Sequence, residues 1–172
     1  SANHTPTPET VSLPGTHQSE LGCSSDWQPE CDKTFLVYDP AADLWSGSFL
    51  IQPGNDQDKK GPRYKIAINK GWGENYGAKG QQGGADIPLV VTAPTQVTFF
   101  YDHKTHVVID SVNSLIPVAV GDFQSKLGCA QDNDPACYAS LLMDPEGDGV
   151  YGFATTKIPA GAYEMRIALD GV

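Results

Sequence analysis

Apolar and polar side chains alternate with a period of two along much of the chain, which is the pattern of β-strands that bury one face. Glycine, proline and Asp-Pro turns separate these runs at intervals of about ten residues, a spacing typical of antiparallel β-sandwiches. The sequence therefore predicts an all-β, antiparallel sandwich. The predicted strands cover residues 34–38, 45–51, 63–69, 87–91, 96–101 and 106–111.

Two near-identical phrases show that the chain is a tandem repeat. The phrase Gln-Ser-x-Leu-Gly-Cys begins at Gln18 and again at Gln124, and a second cysteine follows each phrase at the same distance. A repeat with a period of domain size predicts two modules rather than a solenoid. We assign residues 1–10 to a poorly ordered linker, residues 11–114 to a first module and residues 115–172 to a second one.

The second copy is incomplete. It keeps a predicted strand at 150–156 and another at 165–169, but the sequence contains no equivalents of the glycine-rich loop and the last three strands of the first copy. An open sandwich exposes one face of its core and an unpaired strand edge, which is a template for pairing. We therefore expect residues 116–172 to be unstable alone. Either a separate piece supplies the missing strands or the half-module borrows strands from another copy. We expect its open edge to pair with a second chain or to pack on the first module.

Charge narrows the range of partners. The formal net charge of −10 disfavours nucleic acids and anionic membranes. No run of 18 apolar residues is present, so the sequence predicts no membrane-spanning helix.

The four cysteines form two pairs with seven residues between the members of each pair, a spacing that does not suit zinc ligands. We predict two local disulfides, Cys23–Cys31 and Cys129–Cys137, with free structural thiols as the alternative. Disulfides imply an oxidising compartment.

The glycine-rich loop at residues 70–86 is the candidate functional site, because long loops in compact domains are often functional. An indole and a phenol offer flat apolar faces on which a sugar ring can stack, and polar neighbours can pair with its hydroxyls. The alternative is that both rings plug the end of the sandwich. The predicted platforms are Trp72 and Tyr76, and the polar neighbours are Asn69, Lys70, Glu74 and Asn75.

Trp27 is a second candidate platform. It lies inside the first cysteine loop, where the second copy has Asn133, and this replacement disfavours a core position. Trp45 lies in a predicted strand, and the second copy has Val150 and Tyr151 in that region. We therefore interpret Trp45 as a core residue.

Signals for other chemistries are weak. His103 and His106 flank a hairpin with Asp102 and could ligate a metal, but an ordinary polar turn is the favoured interpretation. The acidic turn at 144–149 is shorter than a twelve-residue calcium loop. No nucleophile elbow, phosphate loop or HExxH helix occurs in the sequence. Spacing alone does not exclude a carboxylate pair for glycoside hydrolysis, but modules of this size leave little room for a cleft. We predict no catalytic residue, metal or cofactor.

Several phrases together resemble the X-twenty-five (X25) modules that occur in tandem in bacterial pullulanases and amylopullulanases. The resemblance covers the whole first copy and what remains of the second. It implies an immunoglobulin-like β-sandwich in a secreted bacterial protein, without catalytic residues. The matching phrases lie at residues 18–23, 64–69, 71–77, 83–84, 87–89 and 100–106.

The resemblance also implies a function, the binding of α-glucans such as starch, glycogen or pullulan beside the other domains of a parent amylolytic enzyme. The alternative is a structural spacer or a protein-docking module without a sugar site. The first copy departs from the pattern at His17, where the second copy has Phe123.

Overall fold

The computed structural model describes residues 6–54 and 60–171. Within these ranges the regular structure is almost entirely antiparallel β-strand, which confirms the predicted all-β class. No helix in the described ranges is long and apolar enough to cross a membrane. The chain divides into two compact units, and each is described by itself. The first unit comprises Ser1–Tyr38 and Trp45–Asn113, and the second comprises Asp39–Leu44 and Ser114–Val172.

The first unit is a sandwich of two antiparallel sheets with an additional two-stranded ribbon. One sheet has the strand order β1-β5-β6, the other has the order β2-β3-β8-β9, and β4 pairs with β7 in the ribbon. Three 3-10 turns lie at Ser19–Leu21, Asp32–Thr34 and Ala78–Gly80. The strands are β1 (Val11–Ser12), β2 (Val37–Asp39), β3 (Leu44–Ile51), β4 (Arg63–Tyr64), β5 (Ile66–Ile68), β6 (Asn75–Tyr76), β7 (Ile87–Pro88), β8 (Thr95–Tyr101) and β9 (Val108–Asp110).

The core of the first unit lies between these two sheets. Strand β3 runs against β8 over seven residue pairs, from Trp45 opposite Tyr101 to Ile51 opposite Thr95. The apolar residues that alternate along both strands thereby point to one side, and they pack on the buried residues of β5. Trp45 is buried in this core, as the sequence predicted.

The second unit has a much smaller regular part. Strands β10 (Pro117–Gly121) and β11 (Met165–Leu169) form a five-pair antiparallel ladder, followed on β10 by the one-turn helix α1 (Gln124–Leu127) and later a 3-10 turn at Tyr138–Ser140. Segment Asp39–Leu44 was predicted to belong to the first module, but Ala41 packs against the small apolar cluster of this unit.

The strand predicted at residues 150–156 does not form, and only an isolated bridge joins Gly152 to Met143. The corresponding strand of the first unit, β3, is held by its long ladder with β8. No equivalent of β8 occurs among the described residues of the second unit, so in this structure the segment has no strand partner that would satisfy its backbone groups in a sheet.

The predicted linker at residues 1–10 is only partly described, because residues 1–5 lie outside the described ranges. Residues 55–59 of the predicted loop at 55–62 also lie outside them. In the rest of the linker Pro8 is buried. The backbone amides of Glu9 and Thr10 donate hydrogen bonds to Oδ1 of Asn69, at 2.8 and 3.2 Å. These residues are therefore attached to the first unit, contrary to the prediction.

His17 is an unusual core residue, because its imidazole is a polar ring that is only 2 % exposed. The second unit has Phe123 in the same place, and each ring fills the space where a side chain on Gly15 or Gly121 would lie. Burial lowers the pKa of His17 to about 4, although the carboxylate of Asp26 opposes this shift. The ring is therefore neutral at pH 7.

We expect His17→Phe to stabilise the first unit and to reduce its acid sensitivity. Because the folded state prefers the neutral imidazole, the unfolded state binds more protons between about pH 4 and pH 6.5. The free energy of unfolding therefore falls as pH is lowered through this window, by up to about 3 kcal/mol. Replacing the buried polar imidazole by an apolar ring should add about 1–3 kcal/mol at pH 7. Urea unfolding followed by tryptophan fluorescence measures this, because all three tryptophans lie in the first unit.

Phe123→His is the matched control, because it places an imidazole at the same position of the second unit. It should destabilise that unit increasingly as pH falls, which amide exchange of β10 and β11 would report. If His17→Phe kept the full pH dependence of the parent chain, the buried neutral imidazole would not be its cause.

Candidate functional site

The first cysteine loop is organised around the buried side chain of Gln18. Its Oε1 accepts a hydrogen bond from the amide of Gln28 at 2.7 Å, and its Nε2 donates to the carbonyl of Gln28 at 2.8 Å. The same Nε2 donates to Oγ1 of Thr34 at 2.9 Å. The disulfide Cys23–Cys31 closes the same loop, which confirms that predicted pair. The glutamine thereby fixes the backbone directly after the tryptophan of this loop.

The second unit repeats this arrangement with Gln124. Its Oε1 accepts from the amide of Asp134 at 2.8 Å, and its Nε2 donates to the carbonyl of Asp134 at 2.8 Å. The predicted disulfide Cys129–Cys137 is also present. The repeated phrase of the sequence therefore encodes a loop that is held by a buried glutamine.

Trp27 adopts a left-handed backbone conformation, with φ of 60°, which is uncommon for a bulky residue. The second unit has Asn133 at this position with φ of 57°, and asparagine tolerates that conformation well. The amides of Trp27 and Asn133 both donate to a glycine carbonyl, at 3.3 and 3.0 Å. The loop thus imposes this conformation in both units, and carrying an indole there costs about 1–3 kcal/mol.

The structure brings two predicted platforms together, because the rings of Trp27 and Trp72 lie 6.4 Å apart with their planes inclined by 39°. Trp72 is 41 % exposed and Trp27 is half-buried. The guanidinium of Arg63 lies 5.5 Å from the centre of the Trp27 ring, and its Nε donates to Oδ2 of Asp86 at 3.2 Å. We call these four residues the tryptophan surface. It offers two inclined aromatic faces beside a cation and a carboxylate.

The polar neighbour Asn75 supports the loop that carries Trp72. Its Nδ2 donates to the carbonyl of Trp72 at 2.8 Å. Its Oδ1 is buried and has no hydrogen-bond partner in the described ranges. The amide of Ile68 donates to the carbonyl of Glu74 at 3.0 Å and closes the base of the loop. Asn75 therefore positions the indole, and its direct contact with a sugar stays a prediction.

Tyr76 does not fit the predicted role of a stacking platform, because it is 2 % exposed. Its ring stacks on His106 with centroids 4.0 Å apart and planes 7° from parallel. Its hydroxyl donates to Oε1 of Glu74 at 2.9 Å, and that oxygen also lies 3.8 Å from Nε2 of His103. Burial and the contact with Glu74 raise the pKa of the Tyr76 hydroxyl above its ordinary value. Glu74 and Tyr76 thus belong to a buried cluster that anchors the loop. For Tyr76 this agrees with the alternative interpretation, in which the ring plugs the end of the sandwich.

Asn69 and Lys70 also have partners within the protein. The amide oxygen of Asn69 accepts the hydrogen bonds from Glu9 and Thr10. The Nζ of Lys70 lies 5.7 Å from the centre of the Phe35 ring. Of the seven predicted sugar contacts, the structure therefore brings together the half-buried Trp27 and the exposed Trp72. Most of the other five hold the loops.

The hairpin at residues 102–106 has the geometry of a polar turn. Oδ1 of Asp102 accepts from the amide of Lys104 at 2.8 Å and lies 3.0 Å from its Nζ. Nδ1 of His103 lies 2.8 Å from the hydroxyl of Tyr101. In the part of the chain that the structure describes, no three His, Cys, Asp or Glu side chains are grouped to hold a metal ion.

No motif or spacing in the sequence singles out Arg63 as a site residue. Gly15 bridges to Tyr64 in the first unit, and the equivalent Gly121 pairs with Met165 in the second. Met165 therefore corresponds to Tyr64, and the preceding residue Glu164 corresponds to Arg63. Trp27 and Arg63 contact each other in the first unit, and both are replaced in the second copy, by Asn133 and Glu164. Two such differences between otherwise similar repeats are the signal that could have identified the surface.

Comparison with protein families supports the repeat. The family model described as the pullulanase X25 domain matches residues 10–108 and 116–172. A pullulanase structure from Bacillus acidopullulyticus superimposes with a TM-score of 0.50 and 21 % identity, over 97 % of this chain and 15 % of that one. This likeness bears on the fold alone.

Curated relatives are much longer proteins. The amylopullulanase of Thermoanaerobacterium saccharolyticum is 37 % identical over 94 residues, which is 55 % of this chain and 7 % of the relative. The amylopullulanase of Thermoanaerobacter thermohydrosulfuricus is 32 % identical over 108 residues, 62 % of this chain and 7 % of the relative. The chain therefore spans less than a tenth of either relative.

We expect Gln18→Ala to loosen the first cysteine loop. The change leaves the amide and carbonyl of Gln28 without their buried partners, so it should destabilise the first unit by about 2–4 kcal/mol. Urea unfolding would measure the loss, and amide exchange of residue 28 would locate it. Gln124→Ala is the matched control, which should affect only the second unit. Equal protection of residue 28 in the parent chain and Gln18→Ala would contradict the role assigned to Gln18.

Proposed function

This chain belongs to the pullulanase X25 domain family, and on that premise we propose that it is a non-catalytic accessory module that binds α-glucan. The polymers in question are starch, glycogen and pullulan. The module would hold a secreted amylolytic enzyme on its polymeric substrate. Its partners are then the glucan and the other domains of that enzyme.

The tryptophan surface carries this proposal. Sugar rings stack their C–H faces on indoles, and their hydroxyls pair with charged and amide groups beside the rings. Successive glucose units of an α-1,4-linked chain are inclined to one another because the chain curves. Two indoles inclined by 39° suit such a chain better than a flat polymer. Arg63 and Asp86 lie beside the first ring and can pair with the sugar hydroxyls.

The strained backbone of Trp27 also supports a functional role. A residue held in an unfavourable conformation persists when it serves a function or when its surroundings compensate it. At the same position the second unit has Asn133, which fits the conformation without strain. The indole is therefore not required by the loop, and binding explains its presence.

The glucan site lies in the first unit under this proposal. The second unit has Asn133 and Glu164 where the first has Trp27 and Arg63.

The disulfides Cys23–Cys31 and Cys129–Cys137 support secretion, because such bonds persist in oxidising compartments. This chain matches only 7 % of each amylopullulanase relative. A match to so small a part of a long enzyme supports an accessory rather than a catalytic role.

We expect the parent chain to be retarded in native gels that contain glycogen, soluble starch or pullulan. Trp72→Ala and Trp27→Asn should each weaken binding by about fivefold, because a stacked aromatic contributes about 1 kcal/mol. Trp27→Asn introduces the residue of the second copy, so its fold should remain intact. Affinity electrophoresis over a series of glucan concentrations gives the dissociation constants.

Tyr151→Ala removes an aromatic of similar exposure from the second unit and serves as the control, with unchanged retardation expected. Free migration of the parent chain in all three polymers would reject glucan binding in favour of a structural spacer or protein-docking module. Unchanged retardation of both tryptophan variants would show that the tryptophan surface is not the site.

A further inference from the structure

The hairpin turn between β8 and β9 holds His106 in a left-handed backbone conformation, with φ of 65°. Few residues other than glycine adopt this conformation, although histidine and asparagine tolerate it better than most. Two hydrogen bonds close the turn. The amide of His106 donates to the carbonyl of Asp102 at 2.7 Å, and the amide of Asp102 donates to the carbonyl of Val107 at 3.0 Å. The backbone thereby fixes the point from which the imidazole leaves the hairpin.

The imidazole of His106 lies flat on the ring of Tyr76, with centroids 4.0 Å apart and planes 7° from parallel. The tyrosine is buried and the histidine is half-buried, so the imidazole is part of the cover over the tyrosine. Tyr76 belongs to β6, the strand that directly follows the turn carrying Trp72. The stack therefore joins the β8–β9 hairpin to the end of that turn.

Two more contacts attach the glycine-rich loop to the same hairpin. A side chain on Gly80 would come within 3.0 Å of the backbone of His106, so this glycine allows the loop to lie directly against the hairpin. Oε1 of Glu74 accepts the hydrogen bond from Tyr76 and lies 3.8 Å from Nε2 of His103. The hairpin thus supports the loop at three points that follow Trp72 in the chain.

The turn that carries Trp72 runs from β5 to β6 and closes where these contacts act. The amide of Ile68 donates to the carbonyl of Glu74 at 3.0 Å, and Nδ2 of Asn75 donates to the carbonyl of Trp72 at 2.8 Å. Strand β6 pairs with β5 over only two residue pairs, so the ladder alone gives the turn little hold. The position of the indole therefore depends on the contacts of Glu74 and Tyr76 with the hairpin.

The hairpin turn does not need an imidazole for its own shape. Its polar side-chain contacts join Asp102 to the amide and to Nζ of Lys104. Asparagine fits a left-handed position at least as well as histidine, as it does at Asn133. An ordinary polar turn therefore accounts for Asp102 and Lys104 but not for the ring of His106, whereas support of the loop accounts for it.

We propose that His106 is a positioning residue for Trp72. Its ring holds Tyr76, the tyrosine holds Glu74, and these two residues fix the end of the turn that presents the indole. An indole that is already in place spares a ligand the cost of ordering it on binding. The consequence for sugar binding rests on the proposed function, whereas the positioning of Trp72 does not.

The variant His106→Asn tests the positioning, because it keeps a residue that tolerates the left-handed backbone and removes the ring. In sugar-free protein the backbone order parameter of Trp72 should fall from about 0.85 to below about 0.6. The values of Trp27 and Trp45 should stay as they are in the parent chain. Nitrogen-15 relaxation measures all three. Lys104→Ala is the matched control, because it removes an exposed side chain from the same hairpin turn and should leave Trp72 ordered.

Affinity electrophoresis in glycogen tests the consequence for binding. His106→Asn should weaken retardation by about threefold to fivefold, and by no more than Trp72→Ala, because it acts through that indole. Introduced into the Trp72→Ala variant, the same change should cause no further loss. A residue that merely stabilises the fold would lack this dependence on Trp72. Lys104→Ala should migrate as the parent chain does.

An ordered Trp72 in folded His106→Asn would overturn the proposal, as would a further loss of affinity in the Trp72→Ala background. Parental affinity in His106→Asn would show that the positioning has no part in sugar binding. A parent chain that glycogen does not retard would reject the proposed function, and the order parameters would still decide whether His106 positions Trp72.

A second measurement needs no variant. In the parent chain without sugar, the backbone order parameter of Trp72 should match that of the buried strand β5, at about 0.85. Addition of maltoheptaose should not raise it. A turn that is mobile without sugar and becomes ordered only when sugar binds would overturn the proposal.

Discussion

A buried glutamine side chain in each repeat is the constraint on which the two cysteine loops depend. An amide group has two donor hydrogens and an acceptor oxygen, and burial is tolerable only when they are satisfied. Gln18 meets this requirement by bonding the amide and the carbonyl of Gln28. It thereby sets the backbone beside Trp27, and this loop holds the first indole of the tryptophan surface. The disulfide closes the loop, and the glutamine gives it its shape.

The same physics explains how much of the structure could be predicted. The alternation along β3 and β8 and the repeated cysteine phrase are local signals, and they identified the all-β class and both disulfides correctly. Burial of Tyr76 depends on a stack with His106, thirty positions away, which no local pattern shows. An aromatic ring among glycines has the same sequence signature whether it is exposed or buried. The predicted role of Tyr76 as an exposed stacking platform does not fit its burial. Instead, Tyr76 and Glu74 anchor the loop that presents Trp72.

Comparison of the two units shows which structural features depend on a segment's own sequence and which depend on the strands that pair with it or cover it. Residues 64–68 and 165–169 pair in the same register, and their large side chains differ only in what covers them. Likewise, β3 forms against β8, whereas residues 150–156 have a strand-like sequence and only one bridge. Strand propensity is realised when a partner satisfies the backbone. A prediction from local pattern therefore fails where the partner is missing.

We propose that the glutamine-held loop and the Trp72 loop together form one glucan-binding surface. The three tryptophans allow a direct test, because Trp45 is buried in the core and provides an internal reference. The measurement is a titration with maltoheptaose, observed through the three indole N–H signals in a nitrogen–proton correlation spectrum. If the two loops form one site, the signals of Trp27 and Trp72 will move together along one binding curve while that of Trp45 stays in place. Movement of only one of the two, or of none at saturating sugar, would contradict it.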